Sequence, residues 1–306
     1  MPEAARGHVS GFVSILGRPN SGKSTLLNAL VGAKLAIVTA KPQTTRALVE
    51  GVLTLPEGQI VFLDTPGIHK PETLLDRRMM DGIRAALNER DLLLFVADAS
   101  RPFGEDDEEA VRLIAQTRAP ALLLLNKIDR VKDKRLLLPL IERYRAVHEF
   151  ADYLPISALR SAGLDVLRAA VLARLPEGPA YFPPDYLTDQ PERFRAGELI
   201  REKILVETRE EVPHSVAVLV DSWEETPRLT RIAATIYVER EGQKGILIGT
   251  KGSMLKRIGT LAREEMETLF GRKVFLELFV KVQPRWRENP GFLEQLDWHS
   301  MTGKTD

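Results

Sequence analysis

The sequence predicts an α/β domain, a mostly parallel six-stranded sheet with helices on both faces, followed by a smaller α+β domain. Three observations predict it. Through the first 175 residues short apolar runs alternate with longer helical patterns. A proline-rich stretch then breaks the rhythm. Beyond it the order changes to helix, two strands, two helices and a strand.

Residues 12–16, 59–63, 91–98, 121–126 and 152–156 are compact apolar runs bounded by Gly, Pro, Asp or Asn, and read as buried strands. Helical patterns lie between them at 23–31, 73–89, 105–117, 134–147 and 163–175. Strand–helix alternation of this kind covers both faces of a parallel sheet. Residues 47–55 pair with 59–63 through the turn Pro56-Glu57-Gly58, an antiparallel hairpin at the sheet edge. Together these make a first domain over 8–175.

Residues 176–190, with four prolines, two tyrosines and little periodicity, read as a semi-rigid linker. Asp189 and Glu192 offer an N-cap and capping-box pair for an amphipathic helix over 193–210. Strands at 215–222 and 231–240, two short helical pieces flanking 249–252, and a strand at 273–282 complete a second domain over 191–285. Residues 286–306 form a C-terminal tail. Within it Trp286, between Arg285 and Arg287, reads either as a base-stacking or as a packing residue, and Trp298 as packing.

The chain has 306 residues, enough for two domains. It has no cysteine, which excludes disulfides and thiolate metal sites and makes a reducing cytoplasm the expected setting. Met1 to His8 carry no apolar run, so no cleavable signal is expected, and runs such as 92–97 and 121–125 are too short to span a bilayer. Basic and acidic residues balance at 43 each, so net charge identifies no partner. Local charge does better: residues 240–287 hold eleven basic against five acidic residues, a candidate polyanion surface.

Gly17-Arg-Pro-Asn-Ser-Gly22-Lys23-Ser24 fits G-x-x-x-x-G-K-[ST] and stands after a strand and before a helix, as a phosphate loop must. Gly17, Asn20, Ser21 and Gly22 put backbone N–H groups around the phosphates, Lys23 bridges the β- and γ-phosphates, and Ser24 holds Mg²⁺. Asp64-Thr-Pro-Gly67 ends a strand. Asp64 is the second metal contact, through water, and the Gly67 N–H faces the γ-phosphate. Thr44 and Thr45 lie in the irregular segment 39–46, and Thr45 is the favoured triphosphate-dependent metal ligand. Asn126-Lys127-Ile128-Asp129 follows the strand at 121–125. The Asp129 carboxylate can accept from guanine N1–H and the exocyclic amine, whereas adenine would leave it unpaired. Ser157 and Ala158 approach the base from the other side. These elements resemble the translation-factor-like branch of P-loop GTPases over about the first 175 residues. Where many signalling GTPases place a water-orienting glutamine, this chain has Ile68, so slow intrinsic hydrolysis is expected, about 10⁻⁴ s⁻¹ at most. A partner or a cation would supply the missing stabilisation; Asn20 matches the position that binds K⁺ in some glutamine-lacking relatives.

In the second domain, Gly249-Thr250-Lys251-Gly252 between two helices, with Lys256 and Arg257 one turn on, looks like the G-x-x-G loop of a KH domain, and the element order matches its type II form. That loop and an adjoining apolar groove clamp about four single-stranded nucleotides. A glutamine-lacking GTPase joined by a proline-rich linker to such a domain resembles the Era family of bacterial GTPases, from about residue 8 to 285. Lys41-Pro-Gln-Thr-Thr-Arg46, Leu187-Thr-Asp-Gln, Arg201-Glu-Lys-Ile204 and Val212-Pro-His-Ser215 carry the resemblance further. The resemblance implies binding near the 3′ end of 16S rRNA, a role in small-subunit maturation, and a monomer with peripheral contact at the inner face of the cell membrane. The competing expectation is a signalling or membrane-associated GTPase whose second domain binds protein.

Overall fold

The computed structural model describes residues 7–88, 90–209 and 212–297, so Trp298 and the end of the tail lie outside the described residues. It divides into two compact units. The first comprises the chain up to Ala36, Thr45–Lys70 and Arg78–Asp189; the second comprises Ile37–Thr44, Pro71–Arg77 and the chain from Gln190.

The first unit is built from β1 (Val9–Leu16), α1 (Lys23–Val31), β2 (Val49–Leu55), β3 (Gly58–Asp64), α2 (Leu74–Leu87), β4 (Leu92–Asp98), α3 (Glu105–Ala115), β5 (Ala121–Asn126), α4 (Leu137–Arg145), β6 (Asp152–Pro155) and α5 (Leu164–Leu172); the start of α2 groups with the second unit. The sheet order is β2-β3-β1-β4-β5-β6, parallel except for the hairpin strand β2 at the edge. Alternation along β4 explains the layers. Leu94 and Val96 enter a core with Leu26, Leu30, Leu167 and Val171 of α1 and α5. Leu93 and Phe95 enter another with Ile83, Val111, Ile114 and Tyr144 of α2, α3 and α4. Each fully buried leucine contributes about 1.5–3 kcal/mol, so the central strands need no polar face.

The linker stretch is tied to this unit. Fully buried Gln59 on β3 accepts from the N–H groups of Tyr181 and Phe182 and donates to the Phe182 carbonyl, and the Leu187 carbonyl accepts from Val52 N. The stretch thus satisfies the buried Gln59 amide and one N–H that the edge strand β2 otherwise leaves open.

The second unit holds α6 (Glu192–Glu207), β7 (Ala217–Glu225), β8 (Leu229–Val238), α7 (Glu241–Ile248), α8 (Ser253–Phe270), β9 (Lys273–Val282) and α9 (Pro290–Leu296). β7 and β8 are antiparallel and β8 and β9 parallel. One face of the sheet packs Ile232, Ala234 and Ile236 against Leu199, Ile200, Ile258 and Ala262. The other packs Ala217, Leu219 and Tyr237 against Trp286, Phe292 and Leu293.

Two details differ from the sequence expectations, and a third decides between two readings that the sequence left open. The Asp189–Glu192 capping box does not form: Pro191, in extended backbone, is the N-cap of α6 and carries no side-chain cap. The second piece flanking the G-x-x-G turn is the 18-residue α8, whose buried Ile258, Ala262 and Met266 recur every fourth residue. Trp286 is fully buried and donates to the Ser215 carbonyl at 2.8 Å, so it packs and presents no face to a base.

Candidate nucleotide site and nucleic-acid groove

The nucleotide motifs gather at the carboxyl ends of the parallel strands, the edge where open α/β sheets bind ligands. Gly17 follows β1, Asp64 ends β3, Asp98 ends β4, Asn126 ends β5 and Ser157 follows β6. α1 starts at Lys23 with no acidic residue in its first turn, whereas α3 carries Glu105, Asp106, Asp107 and Glu108 there. The positive end of α3 is therefore met by its own carboxylates, while that of α1 is left to an outside anion.

Around the start of α1 the protein has prepaid most polar contacts. The Asn126 amide donates to the Ser21 carbonyl at 2.8 Å and accepts from Ala158 N at 2.9 Å, joining the loop after β1 to those after β5 and β6. Gly22 has φ +100°, and a Cβ there would stand 2.3 Å from that amide nitrogen, so only glycine fits. Gly67 lies against Pro19 of the loop. Lys127, itself at φ 65°, donates to the Asn20 carbonyl and to Asp98 Oδ2 at 2.7 Å. Against the opposing effect of partial burial, the Lys127 ammonium and the Ser100 hydroxyl hold Asp98 below the usual carboxylate range. Asp98 was missed in the sequence, where a strand-ending aspartate is only a common boundary.

The residues expected to hold a metal are joined through their hydroxyls. Ser24 Oγ donates to Asp64 Oδ2 at 2.6 Å, so the 2.7 Å contact between Ser24 and Thr45 has Thr45 as donor. Thr44 points elsewhere, to Thr39 and to the Lys41 carbonyl. Burial pushes the Asp64 carboxyl up to about 6, the nearby Lys23 ammonium opposing the rise. Burial likewise lowers Lys23 to about 8, although it donates to the Gly17 and Arg18 carbonyls. Asp64 Oδ1 and Ser21 Oγ are buried with no hydrogen-bond partner. A desolvated carboxylate with a spare oxygen, flanked by two hydroxyls, is a donor set that fits a hard divalent cation such as Mg²⁺.

On the base side, Ser157 Oγ donates to Asp129 Oδ1 at 2.6 Å and holds that exposed carboxyl below its ordinary value. Ile68, by contrast, is buried in the core of the α2 side, its N–H bonded to the Gly17 carbonyl.

In the second unit the G-x-x-G turn joins α7 to α8. Lys251 and Gly252 adopt φ 52° and 78°, which aims the exposed Thr250–Lys251 tip outward. Beside it a groove of about 390 Å³ is lined by Gly252, Leu255, Lys256, Gly259, Arg263 and, from β9, Leu276 and Leu278. Gly252 and Lys256 thus reach the groove. Gly249 sits behind it against Met254. Arg257 lies outside the lining and pairs with Glu207 at 2.7 Å. Arg263, counted in the sequence only within the basic window 240–287, takes a place in the lining; its spacing of one turn from Gly259 and two turns from Lys256 was the signal.

Family comparisons agree with both units. The model for 50S ribosome-binding GTPases matches residues 12–127, and that for the KH domain matches 211–287. The chain is 50 % identical over 304 residues to GTPase Era of Rippkaea orientalis, covering 99 % of this chain and 96 % of the relative. It belongs to the GTPase Era family. GTPase Era of Geobacter metallireducens is 49 % identical over 291 residues, 94 % of this chain and 97 % of that one. Among solved structures, Aquifex aeolicus Era bound to GDP·AlF₄⁻ matches at 43 % identity and TM-score 0.91, covering 95 % and 99 % of the two chains. Era in complex with MgGDPNP and nucleotides 1506–1542 of 16S ribosomal RNA matches at 43 % identity and TM-score 0.92 over the same shares. The chain is therefore a GTPase carrying a KH domain. No helix among the described residues is long and apolar enough to cross a membrane.

Proposed function

We propose that this chain hydrolyses GTP as a switch that holds the 3′ end of 16S rRNA in its KH groove and acts in maturation of the small ribosomal subunit. The observation that carries the reading is the groove itself: a positive-φ G-x-x-G turn opening onto an apolar channel rimmed by Lys256 and Arg263. The related structure that holds both MgGDPNP and a 16S rRNA fragment supports it.

In the nucleotide site, the N–H groups of Asn20, Ser21 and Gly22 and the Lys23 ammonium bind the phosphates, with Gly67 N at the γ-phosphate. Ser24 and, with triphosphate bound, Thr45 hold Mg²⁺ directly, Asp64 through water; the ion neutralises charge on the β- and γ-phosphates. Asn126, Lys127, Asp129, Ser157 and Ala158 read guanine. With Ile68 buried where a water-orienting amide would stand, the unassisted rate is at most about 10⁻⁴ s⁻¹, and K⁺ beside Asn20 or the bound RNA raises it. Equal rates in potassium and sodium would remove the cation from this scheme. The reading places the protein in the cytoplasm as a monomer, with any membrane contact peripheral.

The test is anisotropy titration of a short single-stranded RNA of the 16S 3′ sequence, with a GTP analogue bound, against a scrambled sequence and against Gly252→Asp. Sequence-selective binding lost in the variant supports the proposal; a Gly252→Asp chain that binds as well as the parent contradicts it.

A further inference from the structure

The motif Arg201-Glu-Lys-Ile204 on α6 takes no part in the roles above, yet its charges are buried. Arg201 is 2 % and Glu202 4 % exposed. Arg201 Nε and Nη2 donate to the two oxygens of Glu198 at 2.7 and 2.6 Å, Nη2 also donates to the Thr44 carbonyl, and Nη1 is buried without a hydrogen-bond partner. Glu202 Oε1 accepts from Val38 N at 2.9 Å. Ile37 joins the core formed by Ile200 and Ile204. α6 therefore grips both ends of the segment Ile37–Thr44, which groups with the second unit. The segment is stiffened from within by the Thr39–Thr44 hydroxyl contact at 2.7 Å.

The grip falls at a telling place. The carbonyl held by Arg201 lies in the planar peptide that begins Thr45, so fixing it fixes the plane from which the Thr45 side chain departs. Thr45 belongs to the first unit, where its hydroxyl donates to Ser24. The buried Arg201–Glu198 pair is by itself weak evidence of a stabilising role, since apolar side chains replacing both partners of such a pair often serve as well. Its use is better explained by what it holds. We infer that Arg201 and Glu202 are positioning residues for the triphosphate state: they clamp residues 37–44 so that Thr45 is presented to the metal site, and displacement of α6 is thereby felt there.

This rests on the reading of Thr45 as the triphosphate-dependent metal ligand, so Thr45→Ala is measured alongside. Affinities for a fluorescent GTP analogue with Mg²⁺ and for GDP, thermal midpoints, and hydrogen exchange of the 37–44 amides in the nucleotide-free protein are compared for Arg201→Met, Arg201→Lys and the parent. Arg201→Met is expected to lower the thermal midpoint, since Glu198 and the Thr44 carbonyl lose their donor, yet to stay folded, speed exchange in 37–44, and weaken the analogue by about tenfold while leaving GDP unchanged, the effect of one charge-assisted hydrogen bond. Arg201→Lys, which can still donate to Thr44, recovers part of that loss. In Thr45→Ala the Arg201→Met change adds nothing further. An unchanged analogue affinity in Arg201→Met, additive effects in the double variant, or equal losses for analogue and GDP would overturn the inference. So would unfolding of both Arg201 variants, which would make the residue part of the core. If Thr45→Ala itself leaves the analogue affinity intact, the metal-ligand reading fails first and takes this inference with it.

Discussion

In the first unit a Cβ at Gly22 would stand 2.3 Å from the Asn126 amide nitrogen, whereas in the second unit a Cβ at Gly252 would meet nothing within 4 Å. Both glycines have positive φ and both end a ligand-binding loop, but they are constrained by different things. Gly22 is closed in by the protein's own base-reading loop. Gly252 faces open space, so what forbids bulk there is the ligand. The same contrast runs through the polar groups. Asn126, Lys127 and Ser157 have their hydrogen bonds already made, while Lys251 at the turn tip and Lys256 in the groove lining stand exposed. A site that must reject adenine gains from preorganised, desolvated groups. A groove that takes a flexible, hydrated polyanion gains from open shape and mobile charge.

The contrast breaks most visibly under substitution of the two glycines. Gly22→Ala should abolish measurable GTP and GDP binding, a loss of more than about 100-fold, because the loop must move off Asn126. Gly252→Ala should cost only about 1 kcal/mol of stability, for the positive φ, and leave nucleotide affinity unchanged. Calorimetric unfolding and nucleotide titration of the two variants check both halves; a Gly252→Ala chain that loses GTP would erase the distinction.

Next in size is Asp129→Asn. It replaces one acceptor by a donor and should weaken GTP by about 100-fold while improving xanthosine triphosphate, whose C2 carbonyl accepts. Competition binding with the two nucleotides reads this directly. RNA affinity measured without nucleotide should not change.

The buried metal site should also show a pH dependence that the open groove lacks. Asp64 is raised by burial to about 6 from its ordinary 3.8, so the folded chain binds this proton more tightly than the unfolded one. Asp64 therefore disfavours folding above about pH 6, and that cost is relieved as the pH falls through about 6. Mg²⁺ must displace the same proton, so its affinity should fall by up to about tenfold per pH unit below about 6. Metal titrations between about pH 5 and about pH 7 test this, and a flat profile would contradict it.

The smallest effect sharpens the groove. Lys256→Ala should weaken RNA a few-fold and lower the salt slope by about one, whereas Arg257→Ala, whose guanidinium is paired with Glu207, should do less. Equal slopes for the two variants would mean that the lining is wrong.

The two sites were not equally legible in the sequence. Each nucleotide motif is short, and its geometry is set by a strand end and a turn, so Gly17–Ser24, Asp64 and Asn126–Asp129 could be placed once strands were counted. Asp98 escaped because its meaning is its partner Lys127, 29 residues away. The groove was half legible: the G-x-x-G turn is local, but Arg263 depends on how α8 faces β9. The false capping box at Asp189 and the base-stacking option for Trp286 failed for one reason. Each residue's tertiary neighbours, invisible in a local window, decided its role. The grip of Arg201 on Thr44 spans 157 residues and leaves no local pattern. There the motif was legible and its use was not.

The most direct measurement is the affinity of the 16S 3′ RNA for the intact chain in the GTP-analogue and GDP states at one salt concentration, paired with the analogue's affinity in the presence and absence of RNA. A switch coupled to the KH groove requires tighter RNA binding with the analogue and the same factor in the reverse direction, by linkage. RNA affinity independent of the nucleotide would contradict it, leaving a GTPase and an RNA-binding groove on one chain with no coupling between them.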